Sequence, residues 1–518
     1  MTRIGPLAVS DWSTGVPSSP APSAAAQPVS APRAVAPRVP LPIECPLVIE
    51  LHGALLRTGL VSEVVAAALR RSPLALLGAL FSASRGALLR PSDGGAGLSR
   101  ALAGLAAVDV DTLPVRAELV ALAENEAAEG RTVVLRTGAD ELLARRIAAR
   151  FPFVSQVAAT GEDGAAALAR RFSGGFAYAT DDGGSATARL AAAVVTVDAG
   201  PRARARVEAI GRPALHLGSR PSPLGVLARG LRLRQWAKNA LVFAPLVLAG
   251  RYAEPQAWLL AAAAFLGLGL VASATYLVND LLDLDHDRRH WSKKDRPLAS
   301  GALSIASAAA LVPALAAAGL TLGIAAGPAV GAILVAYAGA TLGYSAGLKR
   351  VPIVDVAVLA SLFTLRLFLG VAAVGAAVSP WLFVFSMALF LSLSIAKRHT
   401  EVVRMRLEGG DAVRGRGYVA RDEPLLLAMG LAAAGAAVVL FSLYVTAEAA
   451  RVGVYAAPGC LWAVPVTLFL WLGRMWLLSG RGELDDDPVA FALRDAPSLS
   501  LGGAVAAAFV AAVVGVLP

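Results

Sequence analysis

Two hydropathy patterns divide the chain. From about residue 43 to 217, short apolar runs alternate with stretches of helical period: PLVIEL (46–51), TVVLRT (132–137), FAYAT (176–180) and AVVTVD (193–198). Strand-length runs separated by helices predict a parallel-sheet α/β domain. A long Ala-rich helical segment separates the first two runs, where an inserted cap belongs. Beyond residue 235 the hydropathy rises and stays high, with nine candidate spans near 238–253, 257–279, 304–325, 328–346, 353–374, 380–396, 424–446, 455–476 and 498–517. The first and fourth are short for a bilayer core of about 30 Å, which needs about 20 residues, so the count is good to one. Residues 218–237 read as a linker or interfacial helix. Residues 1–42, rich in Pro, Ala and Ser, lack the apolar core of a secretory signal and are expected to be a disordered, uncleaved extension.

Composition sharpens this picture. Only 16% of the 518 residues are charged and 56% are hydrophobic, mostly Ala, Leu and Val, which excludes an ordinary soluble enzyme. Two cysteines exclude a disulfide framework, and five scattered histidines show no metal-binding spacing. Lys and Arg collect in the loops after spans two, four, six and eight, leaving only Arg251 and Arg451 in the opposite loops. That asymmetry places the α/β domain and those loops in the cytoplasm. The net charge of +10 then faces anionic lipid headgroups, and no nucleic-acid partner is needed to explain it.

The chemistry concentrates in YLVNDLLDLDHDRRHWSKKDRPLASG, Tyr276 to Gly301. On a continuous helix Asp280, Asp283 and Asp287 would fall within about a 60° arc, with Asp285 pointing elsewhere. Carboxylates that close repel one another unless a cation neutralises them. Mg2+ is the natural one, since it takes oxygen ligands and bridges to substrate phosphates. A second cluster runs from Tyr344 to Arg366: Lys349 and Arg350 are placed to meet phosphate, Tyr344 to donate a hydrogen bond, and Asp355 lies just inside the next helix. Asp355 and Arg366 in an apolar span are costly and mark a functional site. About 16 Å apart along a helix, they need separate partners. All five lysines (238, 293, 294, 349 and 397) fall at the expected cytoplasmic helix ends, and none among the first 237 residues. Two readings of that stay open: phosphate binding and topology signalling.

NDLLDLDHD resembles the aspartate signature of the UbiA superfamily of intramembrane prenyltransferases, with a resemblance spanning roughly residues 228–518. The second motif of its aromatic prenyltransferases is absent. RxRQWxKNxLVFAPL (Arg232–Leu246), SKKxRPxASG (Ser292–Gly301), YSxxLKxxPxxDV, AKRxxE (Ala396–Glu401) and RGYxxxD (Arg416–Asp422) together resemble the decaprenyl-phosphate phosphoribosyltransferases. Leu233 departs from the pattern, standing where that family commonly has Pro. The resemblance implies a helical UbiA-like bundle in a bacterial cytoplasmic membrane. Its activity would be Mg2+-dependent transfer of 5-phosphoribose from 5-phosphoribosyl diphosphate to a polyprenyl phosphate. In that reading Asp280, Asp283 and Asp287 hold the metal, and Asp355 meets a ribose hydroxyl or a second metal. Lys238, Asn279, Lys293, Arg296, Tyr344, Lys349, Arg350, Arg366, Lys397 and Arg398 bind substrate, with no assignment of cation to phosphate.

In the α/β half, CPLVIELHGALLRTGL (Cys45–Leu60) resembles the opening of haloacid-dehalogenase-type phosphatases. Glu50 and His52 occupy the positions of their catalytic aspartates, and Ala54 replaces a threonine. Thr137 would supply the second-motif hydroxyl, and Asp181 and Asp182 a blurred metal site. Without the nucleophile or any lysine, no phosphatase turnover is expected, although Arg170 or Arg171 could replace the lysine. The domain would then be a lid, or a docking module for a protein partner not identified by sequence. Self-association stays open. So do two rival functions: prenyl transfer from a polyprenyl diphosphate to an aromatic or other acceptor, and a non-enzymatic membrane scaffold or transporter.

Overall fold

The computed structural model describes residues 37–71 and 108–515, apart from 139–140, 160–163, 414, 452 and 486. Most of the N-terminal extension, and much of the Ala-rich insertion, lie outside the described residues. The α/β region holds a six-stranded, all-parallel sheet. Its strands are β1 (Leu47–Glu50), β2 (Val133–Thr137), β3 (Gln156–Ala159), β4 (Ala177–Thr180), β5 (Ala193–Val197) and β6 (Ala214–Leu217), in the order 3-2-1-4-5-6. The four apolar runs are the four central strands, buried on both faces as parallel strands must be. The two edge strands, QVAA and ALHL, are short and partly exposed, and their sequences carry no comparable run.

Helices α1 (Leu60–Arg71) and α2 (Ala117–Ala128) fall between β1 and β2. Helices α3 (Glu141–Ala148), α4 (Gly164–Arg171), α5 (Ala186–Leu190) and α6 (Pro201–Ala209) make the four later crossovers. The strand order reverses between β1 and β4. Glu50 and Thr180 therefore meet at the crevice where such sheets place ligands.

After α7 (Pro223–Gly230) the chain enters the apolar half, through a 3₁₀ run (Leu233–Phe243) and α8 (Ala244–Leu248). Then come α9 (Pro255–Leu282), α10 (Leu284–Arg289), α11 (Ile305–Ala326), α12 (Pro328–Ala346), α13 (Val354–Val374), α14 (Pro380–Leu407), α15 (Glu423–Tyr444), α16 (Ala463–Gly480), α17 (Pro488–Ala492) and α18 (Ala496–Val514). Among the described residues, eight helices are long and apolar enough to cross a membrane: α9, α11 to α16, and α18. The sequence pattern suggested nine. The missing one is 238–253, which forms no long α-helix.

That segment still runs beside α9 from end to end. Arg232 reaches Asp280, Trp236 hydrogen-bonds Ser273, and Phe243 stacks near Phe265 and Trp258. At about 2.0 Å per 3₁₀ residue and 1.5 Å per α residue, Leu233–Leu248 rises about 30 Å, enough to cross a hydrocarbon core. The thin 3₁₀ winding suits its slot. A Cβ on Gly269 of α9 would lie 2.7 Å from the Trp236 ring, and one on Gly370 of α13 would lie 2.2 Å from the Val242 carbonyl oxygen. Pro245, without an N–H, stops a regular α-helix from continuing through it. Gly370→Val is therefore expected to push α13 off this segment and lower stability by about 1–3 kcal/mol, read as a fall in Tm of the detergent-solubilised protein. Gly267 and Gly319 make a similar approach between α9 and α11, each Cβ position lying within 2.9 Å of the other's carbonyl oxygen.

Candidate active site

The acidic stretch does not continue as one helix. The α9 helix ends at Leu282, Asp283 caps it with φ −90° and ψ 8°, and its N–H donates to the Asn279 carbonyl at 2.8 Å. A new six-residue helix, α10, then carries Asp287. This break replaces the single-helix arc that spacing suggested. It nevertheless leaves Asp280 and Asp287 facing one cation: Arg296 donates to Asp280 at 3.1 Å and to Asp287 at 2.6 Å. Arg232 adds a second hydrogen bond to Asp280 while its guanidinium lies 4.7 Å from the Tyr276 ring centroid. Asp283 pairs with Lys349 at 3.3 Å. Lys293 feels Asp287 and Asp283, and burial holds its ammonium below the ordinary lysine range.

Among the described residues no three His, Cys, Asp or Glu side chains are gathered closely enough to hold a metal by themselves. Magnesium does not need three, because one or two carboxylates plus phosphate oxygens and water satisfy it. Asp287 meets that requirement. It is 1% exposed, and its Oδ1 is buried with no hydrogen-bond partner among the described residues, a costly state for a carboxylate oxygen. An all-oxygen donor set with one orphaned oxygen fits a hard divalent cation.

Tyr344 and Asp355 begin the second cluster. Asp355, fully buried in the first turn of α13, accepts from Arg398 Nε at 2.5 Å and from the Tyr418 hydroxyl at 2.5 Å, with Arg416 3.9 Å away. Arg398 also donates to both Glu401 oxygens, at 2.6 and 2.7 Å, and to the Tyr344 hydroxyl at 3.1 Å. Arg416 donates to the same hydroxyl at 2.5 Å. Burial, reinforced by the hydrogen bond to Asp355, raises the Tyr418 hydroxyl well above its ordinary pKa, so it stays a donor. The Ile353 N–H donates to Tyr418 at 2.8 Å, which helps hold this β-branched residue at φ +67°, a strained conformation. The Tyr344–Asp355 segment thus joins the clusters, Lys349 reaching Asp283 and Tyr344 reaching Arg398. Arg350, between them, is exposed.

Two of the expected substrate residues lie apart from both. Arg366 is buried in α13 among neutral partners: the Asn239 side chain at 3.1 Å, the Leu362 carbonyl at 2.6 Å and the Tyr337 hydroxyl at 3.0 Å. Arg366 and Asp355 do have separate partners, as their spacing requires. Lys238 pairs with Asp487, in the loop before α17. Burial pushes the Asp487 carboxyl up, but Lys238 and the Ala490 N–H together hold it below the ordinary range. Lys397, one residue before Arg398, feels Glu401 and Asp487. An apolar cavity of about 750 Å³ is lined by Leu241, Leu389, Phe390, Leu468, Val505 and Phe509 among others, and Lys238 lies over the Phe363 ring that stacks on Phe390 at its wall.

At the crevice of the α/β sheet, Glu50 accepts from Thr180 at 2.8 Å and from Arg136 at 3.4 Å, and Arg136 donates to the Tyr178 hydroxyl at 2.9 Å. The cation at Glu50 is thus Arg136, while Arg171 contacts Gln156 and Arg170 is exposed. Asp181 packs against Gly53, whose φ is +85°, and Asp182 pairs with Arg206 at 3.1 Å. Thr137 is buried at the end of β2.

Four residues of the membrane clusters, Arg232, Glu401, Arg416 and Tyr418, were not singled out from sequence, although each lies in a quoted motif. Asp487 was missed outright. Its only signal is a run of three aspartates before Pro488.

The profile of the UbiA prenyltransferase family matches residues 240–493. Protein y4nM of Sinorhizobium fredii is 36% identical over 479 residues, covering 90% of this chain and 91% of its own length. The decaprenyl-phosphate phosphoribosyltransferase of Corynebacterium glutamicum is 35% identical over 181 residues, 34% of this chain and 54% of that protein. A UbiA homologue from Archaeoglobus fulgidus, solved bound to GPP and Mg2+, superposes with a TM-score of 0.42 at 17% identity, covering 55% of this chain and 97% of that one. The chain is an integral membrane protein and belongs to the UbiA prenyltransferase family.

Proposed function

We propose that the chain transfers 5-phosphoribose from 5-phosphoribosyl diphosphate to a polyprenyl phosphate and releases diphosphate. The observation that carries this reading is the number of cations gathered in the two joined charged clusters and around Lys238 and Lys397. A prenyl diphosphate donor with an aromatic acceptor brings one anionic group to the site. A phosphoribosyl donor with a lipid phosphate brings three: the diphosphate, the 5-phosphate and the lipid headgroup. The cations supplied by Arg232, Lys293, Arg296 and Lys349 in the first cluster, Arg398 and Arg416 in the second, and Lys238 and Lys397 near the cavity suit three phosphates better than one.

In this reading the diphosphate lies against Arg296, Lys293 and Lys349. Asp280, Asp283 and Asp287 would hold Mg2+, which would supply neutralising charge to the leaving diphosphate. The 5-phosphate faces Arg416, whose guanidinium donates to the Tyr344 hydroxyl at 2.5 Å and lies 3.9 Å from Asp355, while the buried Arg398 holds Asp355 and Tyr344 in place. The isoprenoid chain fills the apolar cavity, and Lys238 and Lys397 hold its phosphate at the mouth. A lipid phosphate oxygen attacks C1 of the ribose as the C1–O bond to diphosphate breaks. The attacking group is already anionic at neutral pH, so no general base is needed. Fixed cations around a water-poor site stabilise the charge that moves onto the leaving group.

The test supplies ribose-labelled 5-phosphoribosyl diphosphate and a polyprenyl phosphate to membranes containing the full chain. Label is expected in the lipid fraction, dependent on Mg2+. If label stays in the aqueous phase while a polyprenyl diphosphate is consumed with an aromatic acceptor, the chain is a prenyltransferase instead.

A further inference from the structure

The acidic stretch has two sides, and the α/β region holds the one turned away from the site. Arg70 of α1 donates to both oxygens of Asp285 at 2.8 Å and to the Leu281 carbonyl at 3.3 Å. Arg288 of α10 donates to Glu63 of α1 at 2.6 and 3.0 Å, a pair whose side chains are only 4% and 2% exposed. Arg289 pairs with Asp109. Ala66 of α1 packs into the same apolar cluster as Leu277, Leu284 and Leu298 of the membrane half. At the far end of the stretch, Arg57 and Thr58 close on Gly301, where an added Cβ would lie 2.8 Å from the Arg57 Cβ.

The division of labour follows the chain. Residues 280, 287 and 296 meet one another's charges at the site and 283 meets Lys349, whereas 281, 285, 288, 289 and 301 are gripped from outside. A six-residue helix cannot hold itself together, since isolated helices shorter than about 12–15 residues are marginal in water. The orientation of α10, and with it of Asp283 and Asp287, must come from what α10 packs against. Much of that is α1.

We propose that the α/β region is a clamp on the acidic stretch, with Glu63 and Arg70 as positioning residues that keep Asp283 and Asp287 turned toward the diphosphate. This role needs no phosphatase chemistry at the sheet crevice. Its kinetic consequence rests on the function proposed above, but its structural consequence does not.

The experiment uses the full chain in lipid nanodiscs and compares wild type with Arg70→Gln, Glu63→Arg, and the charge-swapped double variant Glu63→Arg with Arg288→Glu. Amide hydrogen exchange across residues 280–301 is expected to quicken about tenfold in Arg70→Gln, the effect of losing one charge-assisted contact, while peptides from α13 to α16 keep their rates. The KM for the diphosphate donor should rise by a similar factor with kcat held, and the swapped pair should recover both relative to Glu63→Arg alone. Unchanged exchange across 280–301 in Arg70→Gln would overturn the clamp, as would faster exchange with an unaltered KM. If Glu63→Arg fails to fold, Arg70→Gln still decides. If wild type turns over neither a phosphoribosyl nor a prenyl donor, the functional proposal falls, and the exchange rates alone settle the clamp.

Discussion

Asp280→Asn is expected to lower the rate of transfer by about 10²–10³-fold, the cost of removing one preorganised electrostatic group from a site where charge develops. Two effects act in the same direction. The variant removes a carboxylate available to a divalent cation, and it frees Arg232 from the anion that now holds it, while Arg296 keeps Asp287. A freed guanidinium would bind donor phosphate without helping it leave, so KM should change far less than kcat falls. Asp285→Asn provides the control, because that carboxylate faces Arg70 and not the site. It should alter KM, through the clamp, with little loss of kcat. The measurement is steady-state transfer at several Mg2+ concentrations, with Tm recorded for each variant. Equal kcat for Asp280→Asn and wild type would remove the acidic stretch from the chemistry.

Much of this was legible in the sequence, for identifiable reasons. The four central strands announce themselves because both of their faces are buried, which demands continuous apolar runs. The edge strands β3 and β6 do not, because each is partly exposed. Eight spans were visible from length and hydropathy, but the 3₁₀ form of Leu233–Phe243 was not. It packs against Gly269 and Gly370, which lie in two other helices. The acidic stretch stood out because charge so dense at a span end is costly. Its partners were harder to see. Arg232 precedes Asp280 by 48 positions and Arg416 follows Asp355 by 61, and spacing gives no hint of contacts at such separations. The grip of α1 on α10 joins residues more than 200 positions apart and was invisible for the same reason.

The second large effect concerns stability, and it is asymmetric. Arg398→Met should destabilise the fold by about 3–5 kcal/mol, because it strands Asp355, a fully buried carboxylate, beside a partner it no longer has. Asp355→Asn should cost less. In that variant Arg398 keeps two hydrogen bonds to Glu401 and one to Tyr344, and Asn still accepts from Tyr418. The Asp355 carboxylate keeps only Tyr418 and the more distant Arg416 when Arg398 is lost. Thermal unfolding of both variants in one detergent should therefore give a clearly larger fall in Tm for Arg398→Met. The double variant Asp355→Leu with Arg398→Met should recover part of the loss, since a buried ion pair replaced on both sides costs less than one broken on one side. The activities should not follow that order. If the Asp355–Arg398 pair acts by holding Arg416 toward a donor phosphate, the double variant will fold yet show a donor KM as poor as that of Arg398→Met. Recovery of donor affinity together with stability would show that this buried pair serves the fold alone.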